Sequence, residues 1–81
     1  MQKTLVKINR DHNRSVIFHF SKAFPKYDGQ DLLAKFKEDL QSRKLKIQHL
    51  NHDKMRTMFA EFLNNTYGST ASTEWQKYCE Q

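Results

Sequence analysis

Cys79 is the only cysteine in the chain, so neither an internal disulfide nor a zinc knot built on cysteines can hold it together. The fold therefore has to come from one apolar core. Splitting 81 residues would leave halves too short to bury enough surface to fold separately, and a single domain is expected. Apolar residues make up 37% of the chain and aromatic ones 12%, more core-forming material than a disordered chain of similar charge carries. A core of this size leaves a margin of about a few kcal/mol, so docking of terminal elements matters and a homodimer is a plausible way to add buried surface. The lone thiol fits a reducing compartment. The start Met1-Gln2-Lys3-Thr4-Leu5 has no apolar run of signal-peptide type, and no segment approaches the roughly 20 apolar residues that span a bilayer, so a cytoplasmic protein without membrane contact is expected.

The net charge of +5 is unevenly placed. Residues 1–26 hold Lys3, Lys7, Arg10, Arg14, Lys22 and Lys26 against Asp11 alone, whereas from residue 27 onward eight basic residues meet eight acidic ones. A positive field concentrated in one stretch points to an anionic partner, either nucleic acid (DNA or RNA) or an acidic protein surface.

Local patterns assign the elements. Residues 4–9 and 15–20 are rich in β-branched and aromatic residues and are separated by the turn formers Asp11-His12-Asn13, a pattern that predicts a β-hairpin. Its register pairs Arg10 with Arg14 beside the turn and puts Val6, Ile8, Val16, Phe18 and Phe20 on the core face. Phe24 before Pro25 favours an extended connection. A helix begins near Asp28 with Leu32, Leu33, Phe36 and Leu40 at helical spacing, and Asp31 with Lys35 and Asp39 with Arg43 form acid-first pairs on its outer side. Residues 45–50 alternate as a short third strand would, the alternative being one continuous helix to residue 50. A second helix follows from about Asn51, its cap, to Tyr67, with Gly68 as terminator and Met55, Met58, Phe59, Phe62 and Leu63 as buried stripe. Residues 69–72 read as a polar linker. Thr73 and Gln76 form a capping box for a last short helix that brings Trp75, Tyr78 and Cys79 to one face.

No set of residues matches a catalytic signature. His49, Asn51, His52 and Asp53 cluster, and Asp11-His12-Asn13 adds a second polar triplet, but the spacing is not that of His-Asn-His nucleases, and His49 and His52 fall in different elements, so neither a metal nor a catalytic role is assigned. Gly29 and Gly68 are the only glycines and neither sits in a phosphate loop, so no nucleotide cofactor is expected. Cys79 has no base nearby in sequence and reads as a packing residue.

The resulting expectation is an α+β domain, ββαβαα, in which a small antiparallel sheet, formed by the N-terminal hairpin and the third strand, packs against two helices over residues 1–68. A linker and short helix follow over 69–81. The expected function is that of a small non-catalytic nucleic-acid-binding regulatory protein that contacts phosphates through Lys7, Arg10, Arg14, Lys22, Lys26 and Lys46. The alternative is an inhibitor or adaptor docking on a larger complex through the hairpin face or through Trp75 and Tyr78, with the same Trp75 helix acting as a latch on the core if it meets no partner.

Overall fold

The computed structural model describes the backbone of residues 2–80 and the side chains of residues 9–80. Among the described residues four α-helices follow one another: α1 (Gln2–Ala23), α2 (Gly29–Ser42), α3 (His52–Tyr67) and α4 (Ser69–Cys79), with a single 3-10 turn, Ile47–His49, between α2 and α3. No strand occurs among the described residues, so the expected α+β architecture gives way to an all-helical one. None of these helices is long and apolar enough to cross a membrane.

The hairpin is overturned because its two segments and the intervening triplet form one uninterrupted helix, α1. Asn13, Ile17 and Phe20 are completely buried, and Val16 and Phe24 are partly buried, which is a helical stripe rather than an alternation. Ile17, assigned by the hairpin register to the outer face, lies in the core, while Phe18 is only partly covered. A β-branched residue costs a helix at most about 0.7 kcal/mol. Burying Ile17 or Phe20 contributes about 1.5–3 kcal/mol each, so packing decides. The turn formers do not turn the chain: the Asn13 side chain instead donates to the Ile47 and Leu50 carbonyls at 2.9 and 3.0 Å.

The third strand and the continuous-helix alternative both fall at the end of α2. Leu45 N–H donates to the Leu40 carbonyl at 2.8 Å and Lys44 N–H to the Gln41 carbonyl at 3.0 Å. This pair of bonds is a Schellman motif, which closes the helix and satisfies carbonyls that would otherwise be orphaned. The left-handed position such a motif needs is occupied by Lys44, at φ 60°. Lys46 and Leu50 are extended and bracket the 3-10 turn, with Ile47 and Leu50 buried and His49 exposed.

Over α2 and α3 the sequence pattern and the structure coincide. The stripe Leu32, Leu33, Phe36 and Leu40 is buried in α2, and the ion pairs Asp31–Lys35 (3.1 Å) and Asp39–Arg43 (3.6 Å) lie on its outer side. The Asn51 side chain caps α3 by accepting from Lys54 N–H at 2.8 Å. Gly68, at φ 101°, ends α3 and starts α4 at once, so residues 69–72 are the first turn of α4 instead of a linker, and the Thr73 capping box is not used. Each helix sends one large ring to the centre. Phe59 of α3 meets Phe36 of α2 at 5.0 Å, Trp75 of α4 at 4.6 Å and Phe20 of α1 at 6.2 Å, mostly edge to face. This arrangement suits aromatic quadrupoles and locks four helices around one point.

Candidate functional site

The irregular segment between α2 and α3 builds a surface feature in which three lysines converge on a concavity. Lys37 and Gln41 on the last turns of α2, Lys44 and Lys46 beyond its end, and Gln48 in the 3-10 turn surround a groove of about 560 Å³ whose remaining lining is Leu40, Leu45 and Ile47. The three lysines are exposed, form no ion pair among the described residues, and have no carboxylate beside them in the lining. The Schellman closure throws the chain sideways after Arg43, and the Asn13 clamp fixes the returning segment against α1, so the groove has a fixed floor. A lysine in the left-handed region costs about 1–2 kcal/mol relative to the right-handed one. At a helix end where glycine would serve without that cost, the cation is retained on the groove rim, and strain held at a surface position is a pointer to use.

The residues singled out from the sequence separate into several places. Arg10 and Arg14 are exposed one turn apart on α1, Arg10 being engaged by Asp11 at 3.3 Å and Arg14 forming no ion pair among the described residues. Lys46 lies on the groove rim. Because Asn13 is bonded to Ile47, the α-carbons of their neighbours Arg14 and Lys46 are at most about 17 Å apart by standard chain geometry. The backbone of Lys7 continues α1, while its side chain lies outside the described residues. Lys22 is exposed, about 18 Å farther along the helix axis from Arg10 by helical rise. Lys26 is bound to Glu74 of α4 at 3.0 Å, and Tyr27 donates to the same carboxylate at 2.7 Å. These contacts, Tyr27 first, hold the Glu74 carboxyl below the ordinary range, and Glu74 raises Lys26. Among the described residues Arg10, Arg14, Lys22 and Lys26 thus do not form one patch. Lys37 carries no sequence motif, and only the folding of α2 against the following segment brings it beside Lys44 and Lys46.

Trp75 is 1% exposed and donates from Nε1 to the Arg56 carbonyl at 3.0 Å. Tyr78 is half-buried, stacked on Trp75 and edge-on to Phe20. Both therefore pack α4 onto the core, as the latch reading of this helix requires. Burial raises the Cys79 thiol, so it is not poised as a thiolate.

His12 and His52 come together although 40 positions apart in number, their rings stacked at 3.9 Å with 19° between planes. Nearly parallel rings point their nitrogen lone pairs side by side, not at one point, so this pair is not a metal cradle. Among the described residues no group of three or more His, Cys, Asp or Glu is placed to hold a metal ion. His49 is apart from the pair and exposed. The furrow between α3 and α4 mixes Arg56 with Glu61 and Glu80 and has no convergent set of like groups. No family model, no curated protein and no solved structure matches this chain, so its function has to be argued from the groove and its charges.

Proposed function

We propose that this is a small non-catalytic nucleic-acid-binding regulatory protein whose contact surface is the lysine-rimmed groove at the α2–α3 junction, with Arg14 and Arg10 of α1 extending it. The observation that carries the reading is the convergence of Lys37, Lys44 and Lys46 on one concavity that no carboxylate lines. Lysine ammonium groups act as point charges toward phosphates, and the Gln41 and Gln48 amides add neutral hydrogen-bonding groups beside them. Tyr67, 36% exposed, is the one large hydrophobic that stands out at the described surface, and it is away from the groove. Without aromatic platforms the surface suits backbone contact more than base stacking.

The test is the salt dependence of binding to fluorescent duplex and single-stranded oligonucleotides, comparing the protein with its Lys37→Ala/Lys44→Ala/Lys46→Ala variant. Log affinity should fall linearly with log salt, and the variant should lower the slope by about 2–3, near one unit per lost phosphate contact. Unchanged binding by the variant sinks the reading. The apolar floor of Leu40, Leu45 and Ile47 favours one second reading, an adaptor that takes an acidic amphipathic peptide in the same groove. An acidic peptide carrying leucines, bound by the protein but not by the triple variant and indifferent to competing oligonucleotide, would decide for it.

A further inference from the structure

A second concavity lies where α1, α3 and α4 meet. It measures about 360 Å³ and is lined by His12 and Val16 of α1, His52, Met55 and Arg56 of α3, and Tyr78 and Cys79 of α4. Its basic lining is the guanidinium of Arg56 and two imidazoles; the Tyr78 hydroxyl and the Cys79 thiol, the latter raised by burial, complete the polar lining, and no carboxylate is part of it. The neighbouring acids lie outside the lining. Asp11 is paired with Arg10, Asp53 follows His52 on α3, and Glu80 follows Cys79 and lies in the adjoining furrow between α3 and α4, which shares Arg56 and Cys79 with this cleft. The Arg56 guanidinium makes no hydrogen bond or ion pair among the described residues.

Two imidazoles in face-to-face contact at 3.9 Å beside a guanidinium are an arrangement that water and neutral packing do not require. Each added proton raises the repulsion within the cluster, and nothing in the lining neutralises it. His12 already shows this, held below its ordinary value first by burial, then by the charges of His52 and Arg56. An anion seated among the three groups would convert that repulsion into attraction. Guanidinium and imidazole N–H groups are planar donors suited to oxygen acceptors, and Arg in particular matches carboxylate and phosphate geometry with two parallel bonds.

We propose that the His12–His52–Arg56 cleft is a binding site for a phosphate-class oxyanion, whether free phosphate or the terminal phosphate of a nucleic acid. It is distinct from the lysine groove and does not depend on that groove's function. Binding and protonation are linked: the anion favours His12 as imidazolium, and by reciprocity its affinity rises as pH falls through that titration. Val16 and Met55, apolar walls of the cleft, reduce competition from water on one side.

The test uses the full chain and reads the imidazole carbon-bound proton resonances of His12 and His52 through a pH titration in chloride, in inorganic phosphate at matched ionic strength, and with 5′-phosphorylated or 5′-hydroxyl oligonucleotides. The expected result is a rise of about one pH unit in the His12 value at saturating phosphate, equivalent to about tenfold tighter binding of the anion to the protonated form. His19 and His49, outside the cleft, should not follow. Arg56→Ala, at an exposed position, should remove the rise, and Arg56→Lys should restore part of it. A rise caused by the 5′-phosphorylated oligonucleotide and not by inorganic phosphate assigns the site to nucleic-acid ends. Identical titrations in chloride and with every phosphate source, or a rise that survives Arg56→Ala, overturns the proposal.

Discussion

The side-chain amide of Asn13, fully buried in the middle of α1, donates to the carbonyl of Ile47 at 2.9 Å across 34 positions of sequence. The same nitrogen serves the Leu50 carbonyl at 3.0 Å. The segment between α2 and α3 lacks a regular hydrogen-bond ladder, so this amide substitutes for one. Asn13→Ala leaves the Leu50 carbonyl without that donor and opens a void beneath the turn. It should lower stability by about 2–3 kcal/mol, a drop in melting temperature of roughly 10–20 °C for a domain this small. A urea titration followed by circular dichroism checks it, and a change below about 0.5 kcal/mol would mean that water replaces the amide at no loss. Because the clamp fixes the segment that carries Lys46, oligonucleotide affinity should fall as well, even where the variant is folded.

Asn13 also marks the limit of what was legible from the chain. Helices α2 and α3 announce themselves: each has a polar cap position, Asp28 or Asn51, and a 3.6-residue apolar stripe, and α3 ends at a glycine. In α1, β-branched residues flank Asp11-His12-Asn13, and local preference favours a hairpin. What overrides it is the distant pairing of Asn13 with residues 47 and 50 together with the burial of Ile17 and Phe20, neither of which has a local signal. Basic Arg43 and Lys44 suit the C-terminal end of α2, and the helix does end there, with Arg43 as its cap; the path beyond was illegible for the opposite reason, since the residue that turns the chain is a lysine where a glycine would have declared the turn. Of the candidate site, Lys44, Lys46 and the two arginines were visible as charges. The groove itself depends on that hidden turn, which alone explains why Lys37 belongs with them.

Lys44 supplies a prediction in which stability and binding move in opposite directions. Lys44→Gly relieves the left-handed strain at φ 60° and retains the Schellman bonds, and should raise stability by about 0.5–1 kcal/mol after the extra entropy of the unfolded chain is allowed for. It also removes one rim cation, so the salt slope for oligonucleotide binding should drop by about one. Lys44→Asn tolerates the same backbone, loses the same charge and provides the check. If Lys44→Gly is destabilising, the helix end is held by the lysine side chain instead of by its backbone.

Helix α4 is anchored on the core by Trp75. Its ring lies 4.6 Å from Phe59 and 5.3 Å from Phe20, and its Nε1–H is satisfied by the Arg56 carbonyl. Trp75→Ala should cost about 3–5 kcal/mol, close to the whole margin of a domain this size, and truncation after Gly68 should leave a chain without a cooperative melt. Trp75→Phe keeps a ring in place but loses volume and the hydrogen bond, and should melt lower by about 1–2 kcal/mol while remaining two-state. A truncated chain that melts cooperatively would instead free α4 from its structural duty and return Trp75 to the role of a partner anchor.

The stacked pair His12 and His52 gives the fold an acid sensitivity whose direction is fixed by the shift at His12. That residue is held below its ordinary value of 6.5 by burial, then by His52 and Arg56, so near pH 6 the folded protein binds fewer protons there than the unfolded chain does. Stability from this group is complete above about pH 6.5 and is lost as the pH falls below that value toward the lower folded one. Glu74, held below its usual 4.5 by Tyr27 and Lys26, is lost in a separate and more acidic window. In phosphate-free buffer the urea midpoint should therefore decline between pH 7.5 and pH 5, before the carboxylate contribution begins to fade. His12→Gln, which cannot gain a proton, should flatten that decline, and a midpoint that rises on acidification over the same range would reverse the assigned sign.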